Sequence, residues 1–350
     1  MPECLAVAGS IGGLRPPARI TDVAREARVS ITTVSHVLSG KRPVSAKTRE
    51  TVLAAARRLN YVPTVAARGL ATGRTMALGL QFPLEGEQLL LNPYFPSLLE
   101  GLSAAAVQAG FSFVLLPAHR TSGFPLDAVL QTQRLDAAIL VDPQHPNELI
   151  PVLREHGVPI VTLGRSLGRA PTNWVDNDHA NAIGRAVDHL LGAGYRRPAL
   201  VSIGGIRVSY VADIEAGYRR AAAAQGFAPL VARGDISEQA GYDAAITLLT
   251  RRSRPDSILA GTDRQAIGVL AAAAELGLRV PDDLGIVGEG NTPLARNARP
   301  PLTSLDARPQ ELGHAAIELI GRILGGPLPR SPETVVVPAT LVARESTARP

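Results

Sequence analysis

One cysteine, Cys4, stands in 350 residues, so no disulfide can form within the chain and the fold must rest on buried apolar surface. Such usage fits a reducing compartment, and the expected location is the cytoplasm. Aromatic residues make up only 4% of the chain, with a single tryptophan, so stacking surfaces are few and each is informative. No apolar run reaches the roughly 18 residues that a membrane helix needs. Residues 1–17 lack the basic start and apolar stretch of a secretory signal and read as a disordered N-terminal extension or an over-long start.

Catalytic patterns are missing too. There is no G-x-S-x-G elbow, no G-x-x-x-x-G-K-[ST] phosphate loop and no H-E-x-x-H zinc helix, and GSIGG is too short and wrongly spaced for a dinucleotide loop. Outside the head, His119, His145, His156, His179, His189 and His314 are scattered and read as surface or capping residues. The expectation is a protein that is not an enzyme and holds no metal and no cofactor.

What is present is charge of one sign in one place. Between Ala18 and Arg74 there are 11 Lys/Arg against 3 Asp/Glu, a net +8 in a chain whose total is +5. A compact basic head on a mildly acidic body is the electrostatic footprint of a nucleic-acid binder.

Helix signals in the head are clear. Thr21 is placed to cap DVAREA, Ser30 to cap ITTVSHVL and Ser45 to cap AKTRETVLAAARRLN. The short link Ala27-Arg28-Val29 suits a helix-turn-helix. Val23, Ala24 and Ala27, then Val34, Val37 and Leu38, then Val52, Leu53, Ala56 and Leu59 supply its core. On the second helix Ile31, Thr32, Thr33, Ser35 and His36 are left facing outward near its N-terminal half, the part a recognition helix inserts into a major groove. Ile31 suits a thymine methyl, Thr32 several base edges and His36 a purine N7 or guanine O6. Thr33 and Ser35 suit phosphates.

From Thr75 onward apolar runs alternate with helical patterns. MALGLQF, FSFVLLP, AAILVD, VPIVTL, ALVSI, DSILA and LGIVG read as buried strands. Helices are expected near 96–109, 126–135, 181–191, 214–225, 239–249, 264–276 and 310–324. This alternation implies parallel sheets flanked by helices, an α/β body.

The run ITDVAREARVSITTVSHVLSGKRPVSAKTRETVLAAARRLNYVPTVAARGL resembles the DNA-binding head of the LacI/GalR family of transcriptional regulators, and the likeness continues to about Val342. The resemblance implies a multidomain chain: a helix-turn-helix domain at 18–62, a hinge helix or linker at 63–74, an effector-binding and dimerisation core at 75–344 and a tail at 345–350. Within the hinge it makes Leu70 a wedge into a minor-groove step of a double-stranded operator, with Ala66 and Ala67 small enough for two hinges to approach. Gly69 weakens that helix, so the hinge is expected to be disordered without DNA.

The core is implied to be periplasmic binding protein-like and two-lobed, with lobe 1 at about 75–172 and 303–328 and lobe 2 at about 173–302 and 329–344. Matching positions for a cleft ligand are Phe95, Tyr94, Arg165, Asp176 and Asp263, although Phe95 also suits core, Arg165 and Asp176 suit each other, and Asp263 suits a helix cap. Three positions depart from the family pattern: Gly164 replaces a frequent acid, Ile214 a usual arginine, and Glu289-Gly290-Asn291 an aromatic and acidic stretch. Trp174, Tyr210, Arg207 and Glu289 are offered nearby instead. The expected protein is a dimeric (tetramer possible) repressor of a near-palindromic operator, with no membrane partner and a sugar or sugar derivative as effector. The alternative is an effector-independent DNA-binding or architectural protein with a degenerate cleft.

Overall fold

The computed structural model describes residues 18–39, 42–61, 74–83, 92–117, 130, 135–168, 171–326 and 331–349. It divides into two units, one ending at Met76 and one beginning at Ala77.

The first unit holds α1 (Ile20–Ala27), α2 (Ile31–Ser39) and α3 (Ala46–Arg58). Ser30 caps α2 by accepting the Thr33 N–H at 3.1 Å, and Ser45 caps α3 by accepting the Thr48 N–H at 3.2 Å. Thr21 does not cap α1. The cap is Arg19, whose own N–H is held by Asp22 Oδ2 at 2.8 Å, so the helix begins at Ile20 and Thr21 lies inside it. Arg28 in the left-handed region ends α1 and turns the chain into α2. Val23, Ala24, Ala27, Val34, Val37, Val52, Ala55, Ala56 and Tyr61 form the core. Leu53 is not part of it. The stripe of α3 runs Val52, Ala55, Ala56, Leu59, and Leu53, one residue off that stripe, is 39% exposed.

The second unit carries β1 (Ala77–Gln81), α4 (Tyr94–Ala109), β2 (Ser112–Leu115), β3 (Ala137–Val141), α5 (Leu149–Glu155), β4 (Ile160–Leu163) and β5 (Asn173–Asp176) in its first stretch. Next come α6 (His179–Gly192), β6 (Pro198–Ile203), α7 (Ser209–Gln225), β7 (Val231–Gly234), α8 (Glu238–Leu249), β8 (Ser257–Ala260), α9 (Asp263–Glu275) and β9 (Gly285–Glu289). The chain closes with α10 (Pro293–Asn297), β10 (Thr303–Asp306), α11 (Pro309–Gly325), β11 (Thr334–Val336) and β12 (Thr340–Val342). The helix expected near 126–135 falls outside the described residues except at its Leu130 and Leu135 positions. Among the described residues no helix is long and apolar enough to cross a membrane.

Two sheets result, in the orders β11-β5-β4-β3-β1-β2 and β12-β10-β9-β8-β6-β7. Their pairings are parallel except β10 with β12. β1, β3, β4, β6, β8 and β9 are buried along their whole length, as expected for central strands covered on both faces. α4 and α11 cover the first sheet together and approach so closely that a Cβ on Gly101 would lie 2.2 Å from the Gln310 carbonyl oxygen.

The lobe boundaries differ from the expected ones. β5 belongs to the first sheet and β10 to the second, while α11 and β11 pack with the first. The chain therefore crosses between lobes after Asp176, after Asp306 and after Val336, rather than near 172, 302 and 328. One side chain ties the three crossings together. Asn177 Nδ2, in the first, donates to the carbonyl oxygens of Ala307 in the second at 3.0 Å and Val337 in the third at 2.7 Å.

Candidate functional site

On α2, Ile31 is 49% exposed and Thr32 is exposed, so both are available to a partner. Thr33, Ser35 and His36 are half-buried, and the Thr33 hydroxyl is bonded to Ser30 Oγ at 2.8 Å. Arg19, Arg25, Arg28, Arg42, Lys47 and Arg49 are exposed on the same unit. Thr21 is exposed within α1. Ala66, Ala67, Gly69 and Leu70 lie outside the described residues.

In the second unit a cleft opens between the lobes, and its empty space, about 960 Å³, runs out into open solvent. Its polar groups come from strand ends. Asp142 follows β3, Asp176 ends β5, Gly261 follows β8 and Glu289 ends β9, the carboxyl-terminal edge where open α/β sheets bind ligands. Tyr94 and Phe95 enter from the start of α4, and Tyr210 from the start of α7.

Its centre is His179, at the first turn of α6. Nε2 meets Asp176 Oδ1 at 3.1 Å and Nδ1 meets Glu289 Oε1 at 3.3 Å. Burial pulls the imidazole pKa down, but the hydrogen bonds to the two carboxylates outweigh it and raise it to about 10. The ring is therefore an imidazolium that donates from both nitrogens, with no lone pair left for a metal. Tyr210 packs edge-on against it with ring centroids 4.7 Å apart. The Tyr210 hydroxyl lies beside Glu289, but its proton goes to the Gly261 carbonyl oxygen. Glu289 Oε2, buried, is left with no hydrogen-bond partner.

Asp142 is the second open carboxyl. Burial raises its pKa first, the Asp176 and Glu289 carboxylates add to that, His179 opposes it, and the result is about 7. Among the described residues nothing donates to it. Asp263, in contrast, is consumed by its surroundings. Oδ2 accepts from Thr292 N at 2.7 Å and Thr292 Oγ1 at 2.8 Å, and Oδ1 accepts from Ser304 Oγ at 2.6 Å.

The cap of α9 is Thr262, which accepts the Gln265 N–H at 3.1 Å, so Asp263 is not the cap. Phe95 is at once core and cleft wall, packed edge-on to Phe82 and Tyr94 at 5.9 and 5.3 Å. Arg165 stays outside the lining: it pairs with Asp213 and, at 3.7 Å, with Asp176. Trp174 is not a lining residue either, since it sits on the face of β5, two residues before the strand end. Arg207 is exposed and offers only its carbonyl oxygen to the His145 N–H at 2.9 Å. Ile214 is fully buried in α7, outside the cleft lining.

Sequence reasoning missed His179 and Asp142. His179, expected at the surface or as a cap, is instead buried between two carboxylates. Asp142 directly follows the apolar strand β3, and that position was the signal available; His179 follows β5, NWVD, whose mixed polarity gave none.

The head, residues 19–64, matches the family model of bacterial regulatory proteins, lacI family, and residues 187–347 match a periplasmic binding protein-like domain. The transcriptional regulator CelR of Thermobifida fusca is 33% identical over 333 residues, covering 93% of this chain and 96% of that one. The transcriptional repressor PurR of Erwinia tasmaniensis is 30% identical over 339 residues, covering 95% and 97%. Among solved structures, a CelR–cellobiose complex aligns with TM-score 0.72 at 30% identity, over 95% of this chain and all of that one. The lac repressor dimer bound to operator and the anti-inducer ONPF aligns with TM-score 0.80 at 27% identity, again over 95% and 100%.

Proposed function

Because the chain belongs to the lacI family of bacterial regulatory proteins, and is thus a transcriptional regulator with a DNA-binding head and a ligand-binding core, we propose that it is a cytoplasmic repressor switched by a small polar effector. Two copies bind a near-palindromic operator, since two-fold protein symmetry imposes two-fold site symmetry. Support for pairing comes from a lac repressor neighbour solved as an operator-bound dimer, and from Val107 of α4, which is 76% exposed beside the buried face of that helix.

In each head Ile31, Thr32 and His36 read base edges, while Thr33 and Ser35 hold phosphates. Leu70 wedges at the operator centre with Ala67 at the hinge contact. The observation that carries the effector reading is Glu289 Oε2: a buried carboxylate oxygen with no partner, in a cleft walled by aromatic rings, is matched to a ligand donor. A sugar is the leading class, as the CelR neighbour was solved with cellobiose. Phe95 and Tyr210 stack the ring, and Asp176 and Glu289 meet hydroxyl groups directly or through His179. Asp263, held by Thr292 and Ser304, supports the wall, and Arg165 with Asp213 spans the rim between lobes. Closure of the lobes on the effector shifts the population competent for DNA.

The test is selection of random duplex DNA by the purified protein, with and without a panel of sugars. A two-fold site whose recovery changes with one compound is the expected result. Enrichment of no site removes the operator reading, and a site indifferent to every ligand favours the effector-independent alternative.

A further inference from the structure

The cleft has an imbalance of charge that a neutral sugar leaves in place. Four carboxyl groups line it, Asp142, Asp176, Glu289 and the internally bonded Asp263, and among the described lining residues the one buried cation is His179. Two nearby arginines have acidic partners. Arg165 is engaged by Asp213 and Asp176 at the rim, and Arg264 leans toward Glu238 at 3.8 Å. Ile214 stands, wholly buried, where the resemblance expects an arginine. A carboxylate or phosphate seated beside Glu289 therefore adds to this excess, and buried negative charge without a counter-charge is costly.

Resting on the effector reading above, we infer that the cleft selects a cationic ligand, a hydroxylated small molecule bearing a protonated amine. The ammonium is seated at Glu289 Oε2 and the Asp142 carboxyl, with the carbon skeleton against Tyr94, Phe95 and Tyr210. An ammonium supplies donors to both open carboxyl groups and offsets the charge, whereas a hydroxyl does only the first. The electron-rich faces of Tyr94 and Tyr210 favour a cation further. The empty cleft holds its excess charge in check with a proton on Asp142, raised to about 7 by burial and by Asp176 and Glu289. The ligand's ammonium takes over that task, so the affinity of an amine that stays protonated increases as pH rises from 6 to 8 and Asp142 ionises. Of the other groups facing the cleft, His179 stays charged and Tyr94 and Tyr210 stay neutral over that range, their pKa values being raised by burial and neighbouring carboxylates.

The experiment is calorimetric titration of the full-length protein with hexosamines, amino alcohols and diamines. Each is paired with its N-acetylated form, and neutral and acidic sugars including cellobiose and glucose 6-phosphate are run beside them. The tightest ligand should be an amine, acetylation should weaken it at least about tenfold, and the affinity of an amino alcohol or diamine, which keeps its proton throughout, should increase between pH 6 and 8. Glu289→Gln should erase the preference for the amine over its acetylated form; Asp142→Asn, the milder change, should erase the pH dependence. Tighter binding of a neutral or acidic sugar overturns the inference and leaves the effector reading standing. Binding of none of the compounds overturns both.

Discussion

The Asp142 carboxyl occupies the space that a side chain on Gly164 would take: a Cβ there would lie 2.7 Å from Asp142 Oδ1. Gly164 also has φ +86°, a conformation that L side chains rarely adopt. Asp142, just past the end of the neighbouring strand β3, fills that space instead. Gly164→Ala should destabilise the core by about 1–3 kcal/mol, part from φ and part from the clash. In an Asp142→Ala background only the φ part should remain. Denaturant unfolding of the four proteins of this cycle measures the difference, and equal costs in both backgrounds would show that the carboxyl moves aside freely.

His179 makes stability depend on pH. Its folded pKa of about 10 lies above its ordinary value, so its contribution is fully present below about pH 6.5 and is lost as pH rises through 10. Asp142, raised to about 7, shifts the balance in the same direction at lower pH. The melting temperature of the wild-type core should fall steadily between pH 6.5 and 10. In His179→Gln it should be lower at pH 7 and fall less steeply toward pH 10, the remaining slope coming from Asp142, whose pKa rises further once the imidazolium beside it is gone. A parallel fall in both proteins would assign the slope to other groups.

Buried strands were legible in the sequence because each is an unbroken apolar run: AAILV, VPIVTL and LGIVG all became central strands. The strands that went unread, NWVD, VARG, TSLD and the three-residue β11 and β12, are short and mixed in polarity, which leaves no period to detect. The lobe boundaries, implied by the resemblance, fall a few residues short of the ends of β5 and β10. In the cleft, Phe95, Asp176, Asp263, Tyr210 and Glu289 were found, but not the partnership among them. His179 and Glu289 are 110 residues apart, and only the pairing of two lobes makes one the counter-ion of the other. Arg165 and Trp174 were plausible by position but lie outside the lining, Arg165 being paired with Asp213 and Asp176.

Asp263 is predicted to act through its neighbours. Asp263→Ala leaves the Thr292 N–H and the hydroxyls of Thr292 and Ser304 without their acceptor, at a cost on the order of 3 kcal/mol. The Glu289 end of β9 loses its support, so the effector response should vanish together with part of the stability. Operator binding by the folded protein should persist. A response lost with no change in unfolding free energy would instead place Asp263 in direct contact with the ligand.

Asn177 should set how far the lobes can move. Its amide is bonded to both other crossings, so Asn177→Ala frees the carbonyl oxygens of Ala307 and Val337. Looser crossings should speed hydrogen exchange at 177–178, 307–308 and 337–339 and weaken effector binding by several-fold, while exchange in the central strands stays slow. Unaltered exchange at the crossings would mean that water replaces the amide without loss.

In the head, stability and recognition should separate between adjacent residues. Ser30 holds the Thr33 N–H, so Ser30→Ala should cost about 1 kcal/mol of head stability. Ile31 is half-exposed and outside the core, so Ile31→Ala should leave unfolding unchanged. On DNA the order reverses. Ile31→Ala should weaken binding most at sites with thymine under the helix, by about 1 kcal/mol, and leave the salt dependence intact. Removal of an exposed arginine such as Arg49 that contacts phosphate should weaken all sequences alike and lower the slope of affinity against salt by about one unit. Binding titrations at three salt concentrations on matched and mismatched operators resolve the two behaviours. A uniform loss for Ile31→Ala would move that residue from base reading to backbone contact.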